Sequence, residues 1–146
     1  IESLRSRPPH APAEPGDALP FLHLASFLLD GKRDARAVLD EARARFPDDH
    51  ALAWLDARAR LEAGDAGGAL PIFAALARVD ADLLCMARAY DTSIFGATAH
   101  AAAGLCAFRL GRYGDSAMHY AHAEALAPDR VEFRLKRQLA EARAAR

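Results

Sequence analysis

Two cysteines in 146 residues, Cys85 and Cys106, are too few to build a disulfide framework. Both lie in apolar surroundings, where a free thiol behaves as a small hydrophobe, and a reducing cytoplasm is the compartment that this usage suggests. Charge of one sign is also lacking: 19 Lys and Arg face 20 Asp and Glu, a net charge of -1, and the cations are spread along the chain. That excludes the basic face expected of a nucleic-acid binder. No apolar run approaches the roughly 20 residues that a bilayer-spanning helix needs, and the first residues carry no signal-peptide core. A phosphate-binding glycine loop, a nucleophile elbow, an HExxH and a CxxC are all missing, so no catalytic residues, metal or cofactor are indicated. The chain begins at Ile1 rather than methionine, which raises the expectation of a piece cut from a longer polypeptide.

What the chain does contain is helix formers. Alanine, leucine, arginine and glutamate dominate and β-branched residues are sparse, a composition that predicts an all-α protein. A hydrophobic content of 52% over this length suffices for one buried core. Residues 1–16 stand apart. The run RPPHAPAEPG has four prolines and no apolar periodicity, and reads as a linker or frayed end.

From residue 17 onward, helix pairs follow one another. The stretch 97–130 shows the pattern best: a run of small residues with Gly104, a punctuation at Gly111-Arg112-Tyr113, then Ser116, Tyr120 and Ala123 at i, i+4 and i+7, and a closing Pro128. Gly104 lets two helix backbones approach, Gly111 supplies the left-handed residue that ends a helix, and Tyr113 and Tyr120 fill the space between helices. Ala35, Leu39 and Ala42 repeat the stripe near the start of the chain, followed by Pro47. Ala69, Phe73 and Leu76 repeat it again, displaced by 34 positions. The first helix of each pair is expected to carry its own apolar face: Phe21, Leu24, Phe27 and Leu28 in one, Trp54, Ala57 and Leu61 in the next. Gly31 and Gly64 end these helices, with the Gly31 turn about one residue shorter than that at Gly111. Asp48 or Asp49 is a natural N-cap for the second pair. Pro71 does not suit a helix interior, so its helix is expected to start late, near Leu70.

The pattern resembles the tetratricopeptide repeat, whose unit of about 34 residues is a helix-turn-helix ending in proline. The resemblance implies units at about 17–49, 50–83 and 97–130 within a domain spanning 17–146, stacked as a right-handed helical-repeat solenoid of seven helices. The third stripe lies 47 positions after the second, which leaves an insertion at 84–96. There Asp91, Thr92 or Ser93 is a candidate cap for a long helix running on to Leu110, and Tyr90, Ile94 and Phe95 are covers for the gap between units or an exposed patch. Residues 130–145, capped by Asp129, place Val131, Leu135, Leu139 and Ala142 on one stripe, as a terminal helix covering the last unit should.

Such an array offers a concave groove lined mainly by the first helix of each unit. The resemblance implies a lining of Phe21, Ala25 and Leu28, then Arg58 and Glu62, then Thr98, Ala101, Leu105, Phe108 and Arg109. Arg58 and Arg109 beside apolar side chains suit an acidic or C-terminal segment of a protein partner, or serve only to keep the surface soluble. His119 and His122, three apart on one helix with His100 further off, are read as rim or partly packed histidines rather than metal ligands, because no carboxylate or cysteine completes the spacing. The run 90–113, with the tail 121–144, also resembles repeat regions attached to bacterial family 2 glycosyltransferases. That second likeness implies an accessory region that positions a catalytic domain or its substrate. The first implies a non-catalytic scaffold for a protein or peptide segment.

Overall fold

The computed structural model describes residues 18–79 and 94–146, and all its regular structure is helical: α1 (Leu19–Asp30), α2 (Arg36–Arg45), α3 (His50–Glu62), α4 (Ala66–Ala77), α5 (Ala97–Arg109), α6 (Tyr113–Leu126) and α7 (Val131–Ala144). Each helix packs on the next in sequence, with α1 also reaching α3 and α4 meeting α5. The linker at 1–16, most of the insertion and Cys85 lie outside the described residues.

Three of the turns share one design. After α1, α3 and α5 the backbone makes the same pair of bonds: Arg33 N to Leu28 O with Lys32 N to Leu29 O, Asp65 N to Arg60 O with Gly64 N to Leu61 O, and Arg112 N to Ala107 O with Gly111 N to Phe108 O. This is the Schellman closure, which satisfies carbonyls that a helix end leaves orphaned and places one residue in the left-handed region. Gly64 and Gly111 occupy that position at φ 88 and 76. In the first turn it falls on Lys32, at φ 57, and not on Gly31, whose φ is -82. Ala35 follows Lys32 by three residues, whereas Ala69 and Ser116 follow Gly64 and Gly111 by five, so the first turn is shorter by two residues rather than one.

The second helices bury the stripes expected of them. Ala35, Leu39, Ala42, Ala69, Phe73, Leu76, Ser116, Tyr120 and Ala123 are all at most 3% exposed. The first helices depart from expectation. α1 turns Phe21, Ala25 and Leu29 inward and leaves Phe27 67% exposed, because the contacts with α2 and α3 fall on the face that carries Phe21. In α3, Ala57 is buried and Trp54 and Leu61 are partly so. Trp54 packs against both the α1–α3 core and the α4–α5 core and stands edge-on to Phe73, with ring centroids 5.0 Å apart. It joins what would otherwise be two separate cores.

α4 begins at Ala66, not near Leu70, with Pro71 inside it. Asp65 caps the first turn by accepting from Gly68 N at 2.8 Å, and burial of Ala66, Ala69 and Leu70 holds that turn in place. The carbonyl that Pro71 leaves without a partner belongs to Gly67, on the exposed side of the helix, where water can serve it. α3 starts from Asp49, whose carboxylate accepts from Leu52 N at 2.9 Å. The helix that ends before Leu110 starts at Ala97, after Gly96 at φ 61, and the expected caps Asp91, Thr92 and Ser93 lie outside the described residues. Ile94 and Phe95, 7% and 5% exposed, cover the α4–α5 core. α7 is preceded by Arg130, and Asp129 does not cap it.

The tightest packing is between α5 and α6. A Cβ added to Gly104 would stand 3.0 Å from two atoms of the Tyr120 ring, and Ser116 Oγ donates to Gly104 O at 2.8 Å. Tyr120 is 3% exposed and has nowhere to retreat. Gly104→Ala should therefore destabilise the fold by about 1–3 kcal/mol through overpacking, read as a lower urea midpoint with an unchanged slope. Lys32→Gly should act in the opposite sense. Relieving a left-handed non-glycine residue should add about 1 kcal/mol in the same titration.

Candidate functional site

The implied groove separates into residues that a partner can reach and residues that it cannot. Phe21 and Ala25 are fully buried in the α1–α3 core and are not groove residues: the face of α1 that meets its neighbours is the face that carries them. Ala101 is partly buried and packs with Ala97 against the cluster of Tyr120, Ala123 and Phe133. Leu28, Thr98, Leu105 and Phe108 are half-buried, while Glu62 and Arg109 are exposed. Arg58 is held at both ends, with Nη2 3.0 Å from Asp30 Oδ1 and Nε 3.0 Å from Glu62 Oε1. It ties the end of α1 to α3 and is not a free cation for a ligand.

On α5 most of the implied residues lie on the side that packing leaves accessible. Ala99, Ala103, Cys106 and Ala107 face inward, which leaves Thr98, Leu105, Phe108 and Arg109 on the accessible side. Phe108 is braced edge-on by Tyr113, with centroids 5.0 Å apart, and Arg143 of α7 lies 5.9 Å above its ring. The result is a rigid apolar ledge with an exposed guanidinium beside it. The Cys106 thiol beneath the ledge is fully buried, and burial pushes its pKa up to about 11, so it is inert packing rather than a nucleophile.

Sequence reasoning missed the most buried charge of the described residues. Asp56 on α3 is 4% exposed, and it accepts from Arg36 Nη2 at 2.5 Å and Arg60 Nε at 3.0 Å, with Arg43 Nη1 3.8 Å away. Nothing in the spacing of Asp56 marks it as different from a solvated helix residue. Two of its cations come from α2, so the cluster exists only once α2 and α3 have packed. A polar cleft of about 350 Å³ opens beside it, lined by Asp34, Arg36, Asp40, Arg60 and Asp65, whose charges largely pair with one another. A larger and more apolar cleft of about 460 Å³ lies between α4 and α6, with Leu70, Pro71, Leu110, Met118 and His119 on its walls.

The three histidines do come together. His100 Nδ1 on α5 lies 3.4 Å from His119 Nδ1 on α6, and the His100 ring stacks on His122 at 4.9 Å and 22°. The contact follows from the Gly104 approach, since His100 precedes Gly104 by one helical turn and His119 follows Ser116 by about one turn. Among the described residues, no group of three His, Cys, Asp or Glu side chains is placed to hold a metal ion.

Comparison with protein-family models, with curated proteins and with solved structures gives no match to the chain.

Burial, then the neighbouring His122 and His119, lowers the His100 pKa to about 4. His119 is lowered too, mainly by burial, with His122, Arg78 and Arg112 acting in the same sense and Asp115 opposing them. Both groups take up protons more readily when the chain is unfolded. Stability present above about pH 6.5 should therefore be lost as pH falls toward 4. Urea midpoints measured at intervals across that range should fall for the parent and fall less steeply for His100→Gln. Equal slopes would show that the histidine cluster contributes nothing to the acid sensitivity.

Proposed function

We propose that this chain is a tetratricopeptide-like right-handed solenoid without activity of its own, and that it holds a segment of a partner protein in a groove whose floor is α5. The observation that carries the reading is the division of α5. Its small residues are consumed by packing against α4 and α6, while Leu105 and Phe108 stay accessible beside the exposed Arg109. Apolar anchors next to an unspent cation are the combination that grips an extended or helical segment bearing a carboxylate. The turn closure that recurs after α1, α3 and α5, and the stripes 34 positions apart, support the repeat reading. No helix among the described residues is long and apolar enough to cross a membrane.

Fold and groove separate experimentally. Peptides selected from a display library on the parent chain should lose about tenfold or more in affinity for a Leu105→Glu, Arg109→Glu variant, equivalent to about 1.4 kcal/mol. The thermal midpoint should stay within a few degrees of the parent, because neither side chain belongs to a buried core. Peptides that bind parent and variant equally would remove α5 from the reading.

A further inference from the structure

α7 was expected to close the stack with Val131, Leu135, Leu139 and Ala142 turned inward, and it sits the other way round. Phe133 and Ala140 are buried, 2% and 0% exposed, whereas Val131, Leu135 and Leu139 are 50%, 56% and 50% exposed and Ala142 is exposed as well. The cause lies in the helix α7 packs on. Phe133 seats against Tyr120 and Ala123, and Arg137, one turn further along, puts Nε 2.5 Å from Glu124 Oε2 of α6. Burial of a phenylalanine ring is strongly favourable, and one rotation of α7 delivers both that ring and the ion pair to α6. The aliphatic stripe is what that rotation leaves outside.

The stripe has the dimensions of a helix contact. Val131, Leu135 and Leu139 follow one another at i, i+4 and i+8, and from Val131 to Ala142 the apolar row runs about 16 Å, or three turns. Its borders are charged mainly with one sign. Arg134 and Gln138 stand on one side, Lys136 and Arg143 on the other, all exposed. Among the described residues none of these three cations is in an ion pair with a carboxylate, although Lys136 Nζ lies 5.9 Å from the centroid of the Tyr120 ring and Arg143 lies over Phe108; Glu132, on the same border, is bridged by Arg130. The remaining acid of the helix, Glu141, stands seven residues after Arg134 with its side chain 52% exposed, and is bridged by Arg137.

We propose that the open face of α7 receives an amphipathic helix from a partner, with an apolar stripe of Leu-like side chains flanked by Asp and Glu. This surface meets the α5 ledge at Arg143 but uses neither Leu105 nor Arg109, and it does not rest on the groove reading. Helix-on-helix packing buries the three aliphatic side chains, and the partner's acids meet Arg134, Lys136 and Arg143 at the rim, where charge selects the partner and speeds its arrival.

The probes are two synthetic helical peptides with the same leucine stripe, one flanked by glutamates and one by lysines, titrated by fluorescence anisotropy against the full chain. The glutamate peptide should bind at least tenfold more tightly than the lysine peptide, with an advantage that shrinks as salt is raised. Leu135→Asp should abolish binding while leaving the helical circular dichroism and the thermal midpoint as in the parent. Arg134→Glu combined with Lys136→Glu should reverse the preference. Leu105→Glu with Arg109→Glu should leave binding unchanged, which keeps failure of this proposal distinct from failure of the groove reading. The proposal is overturned if both peptides bind equally or neither binds. It is also overturned if sedimentation shows a dimer that Leu135→Asp dissolves, or if the chain ignores the peptides and binds anionic phospholipid vesicles.

Discussion

The approach of α5 to α6 at Gly104 is the contact on which the C-terminal half of the molecule depends. With no Cβ at Gly104, the Tyr120 ring packs close against α5, and Ser116 secures the register by donating to the Gly104 carbonyl. Tyr120, held there, becomes part of the surface on which Phe133 seats α7. The same register brings His100 opposite His119 and His122. A single missing methyl thus sets the distance between two helices, the position of a third and the meeting of three imidazoles.

Elsewhere the cores are lean, because so many buried positions are alanine. Ala25, Ala42, Ala57, Ala69, Ala99, Ala103 and Ala107 are fully buried and let helices pack closely, but each contributes little apolar area. The larger contribution comes from a few aromatic side chains at the joints. Phe21 meets Phe46 in the first core, Trp54 meets Phe73 between the first and second, and Tyr120 with Phe133 joins α6 to α7. Between α2 and α3, Leu39 and Ala42 share a core with Leu52 and Leu55, and Asp56 with its arginines adds a polar joint beside it. There the buried carboxylate is tolerable only because cations from two helices reach it.

Two of the surfaces that this packing leaves open among the described residues differ in kind. On the α5 ledge Phe108 is flanked by Tyr113 and Arg143, so that ring has less freedom left to lose on binding. The outer row of α7 is a whole helix face with a basic border, which suits another helix rather than an extended chain. Arg143 contributes to both, lying over Phe108 while bordering the α7 row.

The sequence by itself determined the helical class, the turns at Gly64 and Gly111 and the inward stripes of the second helices. These depend on local chemistry: a glycine that can take positive φ, a carboxylate in reach of its own helix's N–H groups, and an apolar period matched to 3.6 residues per turn. Pro71 misled because a penalty that is real in an isolated helix was outweighed by the capping of Asp65 and the burial of its first turn. Only the tertiary structure decided the rotation of α1 and α7, the burial of Phe21 and Ala25, and the charge cluster at Asp56. Each of those depends on which of two competing faces meets a neighbour. In α7 both faces are apolar enough to be buried, and the periodicity favours Val131, Leu135 and Leu139. The choice fell to Phe133 and Arg137, because Tyr120 and Glu124 of α6 were in place to receive them.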